Sequence, residues 1–232
     1  MSPYVNVNVI ITEGADMSNN RIERDLQAAE DIWGIRLNLQ TVGQYDGFPE
    51  YRFVDREVPC GGSEYPKLEN LINQDRSFDN DLFVYYIGGD TFSNGVSVGC
   101  SPIRYSVIGN TQRLVRAIIL TNGAASSQYL FAHELGHALF ARVENNRLIT
   151  SDPTSGSGHS NLPNNLMRSN VPINPTLTSA QRNLALQSSL VREDSQGEAY
   201  TTSNRASKKE YTQKISMADG YYRRKSSNKR KP

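Results

Sequence analysis

The sequence predicts an α/β fold: a mixed, mostly parallel twisted sheet packed against helices. Segments that alternate apolar and polar residues, or run apolar for five to seven positions, recur between segments of helical period. Parallel strands need a crossover of a dozen or more residues, and a helix supplies it, so such an order argues for a parallel sheet with helices on its faces. The length of 232 residues suits one domain with a tail, long enough to bury a sizeable core.

Each element can be justified in order. Residues 5–11, Val-Asn-Val-Asn-Val-Ile-Ile, alternate and then run apolar, giving a first strand. Ser18 is placed to cap a helix over residues 21–33, which Gly34 stops. Residues 35–40 alternate again as a second strand. A Gly- and Pro-containing stretch follows, with a short helix expected over residues 67–73. Residues 81–87 form a buried-type strand ended by Gly88 and Gly89, residues 94–99 a short edge strand, and residues 116–120 another core strand. The next helix carries Leu130, Phe131, Ala132, Leu135, Ala138, Leu139 and Phe140, with Ser126 or Ser127 as its cap, and is expected to run on through Glu144. A loop rich in Ser, Gly and Pro spans residues 151–158, and a final helix is expected from about residue 177 to 191.

The chemistry concentrates in that central helix. The chain has only three histidines, and two of them stand in His133-Glu134-Leu135-Gly136-His137. Helix positions four apart are related by about 400° and share a face one turn apart. Two imidazoles so placed can each bring a nitrogen to roughly 2.0–2.1 Å from one Zn²⁺. Glu134, about 100° around the helix, points beside the metal, where it can act as the general base of the motif. A catalytic zinc takes three protein ligands and keeps one position open, and His159 is the remaining histidine.

His159-Ser160-Asn161-Leu162-Pro163-Asn164-Asn165-Leu166-Met167 places a methionine eight positions after that histidine. Together with the H-E-x-x-H, this resembles the metzincin metallopeptidases, and around the third histidine the matrix-metalloproteinase-like branch. The family reads H-E-x-x-H-x-x-G-x-x-H followed by a methionine turn. Here the family's glycine and third histidine would fall on Phe140 and Val143, and residues 142–158 are inserted before His159. The resemblance spans roughly residues 4–192, although only residues 133–167 are specific. It implies a zinc endopeptidase with His133, His137 and His159 as ligands, Glu134 as general base and acid, and Met167 in the methionine turn. It implies an antiparallel edge strand above the cleft, with Gly95, Val96, Ser97 and Val98 pairing to bound peptide. The pocket wall beyond the scissile bond would come from residues 168–175. Ser169 stands where some members place an assisting tyrosine. The domain would cover residues 1–192, with an upper part to about 142, the zinc helix beneath the sheet, and a smaller lower part over about 143–192 holding the methionine turn and C-terminal helix.

Two other readings stay open on the residues alone. One is a zinc peptidase of gluzincin type with a carboxylate as third ligand, from Glu144, Asp152 or Glu193. The other is a non-catalytic zinc-containing binding module whose basic tail contacts a polyanion. That tail, residues 193–232, is rich in Ser, Asn, Lys and Arg; from residue 205 it holds ten Lys/Arg against two acids, a net +8. With +1 for the whole chain, the rest carries −7 (+1 − 8). A segment so polar cannot bury enough surface to fold alone and is expected to be disordered.

Cys60 and Cys100 are the only cysteines, and either a disulfide or two free thiols fits them. No apolar run of about 18 residues is present to span a membrane as a helix. No charged segment followed by an apolar one opens the chain, so no signal peptide is expected. The resemblance implies a secreted or extracellular enzyme, with a cytoplasmic location left open.

Overall fold

The computed structural model describes residues 2–45, 81–92, 96–108 and 111–193. It is α/β, with a mostly parallel sheet as expected. Seven strands form the sheet: β1 (Pro3–Thr12), β2 (Arg36–Tyr45), β3 (Leu82–Tyr86), β4 (Gly99–Cys100), β5 (Ile103–Ile108), β6 (Thr111–Leu120) and, after a separate hairpin of β7 (Arg142–Glu144) and β8 (Arg147–Ile149), β9 (Arg192–Glu193). The central order is β2-β1-β3-β6, all parallel. β4 and β5 follow one another along the free side of β6, both antiparallel to it, and β9 pairs antiparallel with the start of β1.

The alternation in β1 is explained by what each face meets. Val5, Val7 and Val9 point into the main core beneath the sheet. Asn6 and Asn8 face the other way yet are also buried, and their amides donate to the Asp81 carboxylate at 3.2 and 3.4 Å. Arg192 of β9 closes on the same carboxylate at 2.7 Å. The polar face of the strand is thus covered by a hydrogen-bonded ladder rather than by solvent. Along β3, Leu82, Val84 and Tyr86 join the main core, while Phe83 and Tyr85 join a second cluster with Phe92, Cys100, Ala117 and Ile119 on the opposite face.

Three helices lie among the described residues. The first, α1 (Arg21–Trp33), buries Ile22, Leu26, Ala29, Ile32 and Trp33 and ends at Gly34, whose φ of +68° lets its N–H reach the Glu30 carbonyl at 2.9 Å. Ser18 does not cap it. Ser18 lies in a short 3-10 turn, and the chain enters α1 from Asn20 in the left-handed region. The second, α2 (Leu130–Phe140), is apolar nearly all round and buried between sheet and α1. Neither Ser126 nor Ser127 caps it; the cap position is Tyr129, without a side-chain bond. The third, α3 (Ser179–Leu186), opens with a capping box between Thr178 and Gln181. It stops at Leu186, short of the expected residue 191.

The largest departure follows α2. The helix does not continue through Glu144: Ala141 turns extended, and residues 142–149 form the β7–β8 hairpin. Its turn is Asn145-Asn146, with φ of 51° and 60°, the two left-handed positions that a tight two-residue hairpin demands and that Asn tolerates. The edge strand is also displaced. Val96, Ser97 and Val98 are not in strand conformation, and pairing begins at Gly99. β5 and β9 were not expected. Gly95, Cys60, the helix expected at residues 67–73 and the tail beyond residue 193 lie outside the described residues. Cys100 is disulfide-bonded. No helix among the described residues is long and apolar enough to cross a membrane.

Candidate metal centre

α2 carries His133 and His137 on one face, and their Nε2 atoms stand 3.2 Å apart. Two nitrogens each about 2.0–2.1 Å from one tetrahedral ion would stand about 3.3–3.4 Å apart, so the spacing fits a shared ion. The His159 ring stacks on His133 at 5.4 Å between centroids and meets His137 edge-on at 5.0 Å. One nitrogen from each of the three lies within 4.8 Å of the others, so the three histidines could hold a metal ion. Their burial is graded: His133 is buried, His137 half-buried and His159 exposed, leaving one side of the group open to the cleft.

The tautomer of His133 is set by its second nitrogen. Nδ1 lies 2.8 Å from the Leu166 carbonyl and donates to it, which leaves the Nε2 lone pair facing the other two rings. Burial first and the neighbouring imidazoles after it hold the pKa of His137 at about 3; burial holds that of His133 at about 4, against the raising effect of the Leu166 carbonyl. Both rings are therefore neutral near pH 7, the form that binds a metal. Three imidazoles with one open side make a donor set that could hold a metal ion.

The inserted segment brings His159 back through local hydrogen bonds. Asp152 is fully buried; its carboxylate accepts from the Thr154 backbone N–H at 2.7 Å and from the Thr154 hydroxyl, and its backbone N–H and carbonyl pair with Ser157 and Gly156. The hydroxyls of Ser155 and Ser157 then both donate to the His159 carbonyl, at 2.7 and 2.8 Å. From beneath, Gln181 of α3 donates to Asp152 at 2.5 Å and exchanges hydrogen bonds with Asn165. Asn165 accepts from the Met167 N–H at 3.0 Å, and the Met167 carbonyl accepts from Ser160 at 2.8 Å. Met167 is fully buried under α2, where its sulfur would lie only 2.3 Å from a Cβ placed on Gly136. The lower part is tied to the histidines through this polar network as much as through apolar packing.

Of the three carboxylates offered as alternative ligands, none joins the group. Glu144 is exposed on the hairpin and paired with Arg142 at 2.5 Å, Asp152 is turned to Thr154 and Gln181, and Glu193 lies in β9 against the first strand.

Glu134 lies beside the histidines and lines the same cleft. Burial raises its pKa to about 7, and a hydrogen bond with Ser101 opposes that rise. The Ser101 hydroxyl is 2.7 Å from the Glu134 carbonyl and 2.8 Å from its carboxylate Oε2. One hydroxyl proton cannot fully serve both acceptors, so both contacts are satisfied together when the carboxyl is protonated and donates to Oγ. Ser101 and Gly99 are the site residues that sequence reasoning missed. A Cβ on Gly99 would sit 3.0 Å from the Glu134 Oε1 and 3.1 Å from Leu130, so the glycine lets the edge strand lie close over α2. Neither belongs to a motif; only the break in the edge between Cys100 and Ile103 marks the place.

The cleft holds about 810 Å³ and is lined on one side by Val96, Ser97 and Val98, on another by Ser169, Asn170 and Val171, with the three histidines between. No protein-family model matches the chain. No curated protein matches it either. Among solved structures, the crystal structure of metalloproteinase-II from Bacteroides fragilis aligns at a TM-score of 0.48 with 19% identity, covering 80% of this chain and 53% of that one. The chain thus spans about half the length of that protein.

Proposed function

We propose that the chain is a zinc-dependent endopeptidase of metzincin type. The observation that carries the reading is the grouping of His133, His137 and His159 beside Glu134 in one open cleft. A zinc ion held by the three imidazoles would polarise the scissile carbonyl and lower the pKa of water toward about 7. Glu134 takes a proton from the attacking water and delivers it to the leaving amine. A carboxyl held near pKa 7 by burial, with a hydroxyl on its Oε2, suits that exchange, because each direction of transfer costs little. Extended peptide lies along Val96, Ser97 and Val98, and residues 168–175 line the pocket beyond the scissile bond. Met167 under α2 serves as the floor of the methionine turn.

A carboxylate-ligated site is disfavoured by the positions of Glu144, Asp152 and Glu193. A purely structural zinc would need four protein ligands, and the group among the described residues offers three.

The test is metal analysis of the purified chain, then cleavage of an unfolded protein with and without chelator. Zinc at one per chain and chelator-sensitive hydrolysis are expected. Glu134→Gln should keep zinc and fold while hydrolysis falls roughly 10²-fold or more. His159→Ala should lose zinc affinity. Full activity in either variant would remove the mechanism.

A further inference from the structure

The face of α2 that carries the histidines also sets the direction of the cleft. Leu130, His133, Glu134 and His137 all line it, so it follows one face of the helix from the first turn to the last. At 1.5 Å per residue, Leu130 and His137 stand about 10 Å apart along the axis, the reach of about three residues of extended chain. A peptide lying there presents different residues to the two ends of α2.

At the C-terminal end the wall comes from the β7–β8 hairpin, which lies within residues 142–158, the segment inserted ahead of His159. In its register Leu148 faces Val143, the middle residue of β7, so it stands close to where the chain leaves α2. Arg142 Nη1 donates to the Phe140 carbonyl at 3.2 Å and ties the hairpin to the last turn of the helix. Leu148 and Thr150 line the cleft, both half-buried, whereas Ile149 between them does not. That is the alternation of an extended chain with one side-chain face turned to the cleft.

Charge is nearly absent from the cleft. Among the described residues, Glu134 is the only Asp or Glu that lines it, and no Lys or Arg does. Its apolar lining is Val96, Val98, Ile103, Leu130, Leu148 and Val171. A charged side chain entering such a wall gives up water without gaining a partner, whereas an aliphatic one gains from every apolar area it covers. Resting on the reading of this cleft as a peptide site, we propose that the β7–β8 hairpin builds a specificity subsite through Leu148 and Thr150, which takes an uncharged aliphatic side chain of the substrate.

Binding and cleavage test it separately. The full chain with Glu134→Gln, supplied with zinc, loses the one charged side chain of the cleft. It is titrated with three blocked, labelled peptides in which glycine alternates with leucine, aspartate or lysine, read by fluorescence anisotropy. The leucine peptide should bind at least about tenfold more tightly than the other two. Leu148→Lys in the same background should shift the affinity ratio toward the aspartate peptide by about tenfold, through a lost apolar contact and a gained ion pair, with zinc content unchanged. Should that variant lose zinc, Leu148→Ala decides, and it should weaken the leucine peptide alone. In the parent enzyme, cleavage of a random peptide mixture should show aliphatic residues enriched at one position beside the cut, and Leu148→Lys should remove the enrichment at that position only. Equal affinity for the three peptides overturns the subsite, and so does a preference that neither Leu148 variant alters. A leucine preference that depends on Leu148 in a chain that cleaves nothing would keep the subsite and remove the hydrolysis.

Discussion

Ser101 holds the carboxylate that the proposed reaction depends on, and it does so from the break between β4 and β5 rather than from the helix that carries Glu134. Ser101→Ala removes a hydrogen bond to a group that changes charge during turnover. Its loss should cut kcat about tenfold, on the usual worth of such a bond, while KM and zinc content stay. Ser101→Thr should recover most of the rate; a kcat in Ser101→Ala equal to that of the parent would remove the positioning role. The same cluster fixes how metal-free protein responds to acid. His133 and His137 have folded pKa values of about 4 and about 3 against an ordinary 6.5, so below about pH 6.5 the unfolded chain takes up two protons that the folded chain refuses. Glu134 acts oppositely: raised from 4.5 to about 7, it binds a proton in the folded state across that window. Between about pH 6.5 and 4.5 the folded state is therefore short by one net proton, and stability falls as pH falls. Glu134→Gln removes the counterweight, so denaturation midpoints of the metal-free variant should drop more steeply over the same range. Parallel pH curves for the two proteins would contradict this. His133, Glu134 and His137 were legible in the sequence because the helical period forces them together, and His159 because it is the one histidine left. Ser101 was not, since its contact spans 33 positions and nothing local encodes it.

Close packing between elements matters most for the site where α2 crosses Met167. Gly136 is the one position of the motif with no side chain, and a Cβ there would lie 2.3 Å from the Met167 sulfur and 2.8 Å from Trp33 Cζ2. Trp33 cannot yield easily, because its indole N–H is bonded to the Ala132 carbonyl at 2.9 Å and its ring meets Phe140 edge-on. Gly136→Ala gains helix propensity worth at most about 1 kcal/mol. Overpacking in a closed core costs about 1–3 kcal/mol, so a net loss is expected. Because Leu166, beside Met167, orients His133, zinc affinity should fall with stability. Chemical denaturation and zinc competition measure both; a variant more stable than the parent would show that Met167 moves freely. The strands and α1 could be read from periodicity since each has a buried face of constant period. The β7–β8 hairpin was hidden by continuity of apolar residues after Phe140, although Asn145-Asn146 is a turn signal that outweighs it. β5 does alternate, Ile103-Arg104-Tyr105-Ser106-Val107, and that period of two was a strand signal left unread, whereas β9 is two residues long and had no period to detect.

On the scale of the whole molecule, charge is divided unevenly between the domain and the tail. Residues 205–232 carry +8 and the remainder −7 (+1 − 8), so most of the molecule's cationic excess sits in about an eighth of its length. The site needs none of it: His133, Glu134, His137 and His159 lie within 27 positions, and their supports, Ser101, Asp152, Asn165 and Gln181, end by residue 181. Deleting residues 205–232 should leave zinc content and hydrolysis of a short neutral peptide within about twofold of the full chain. The truncated protein then has a net charge of −7, and attraction to polyanions should disappear with the tail. For the full chain, any binding to heparin or to an acidic protein substrate should weaken as ionic strength rises, because the screening length shrinks from about 10 Å at 0.1 M to about 3 Å at 1 M. Retention on a polyanion column across a salt gradient, run with both proteins, separates the outcomes. Equal retention would place polyanion contact on the domain, and loss of zinc on truncation would mean that the tail supports the fold.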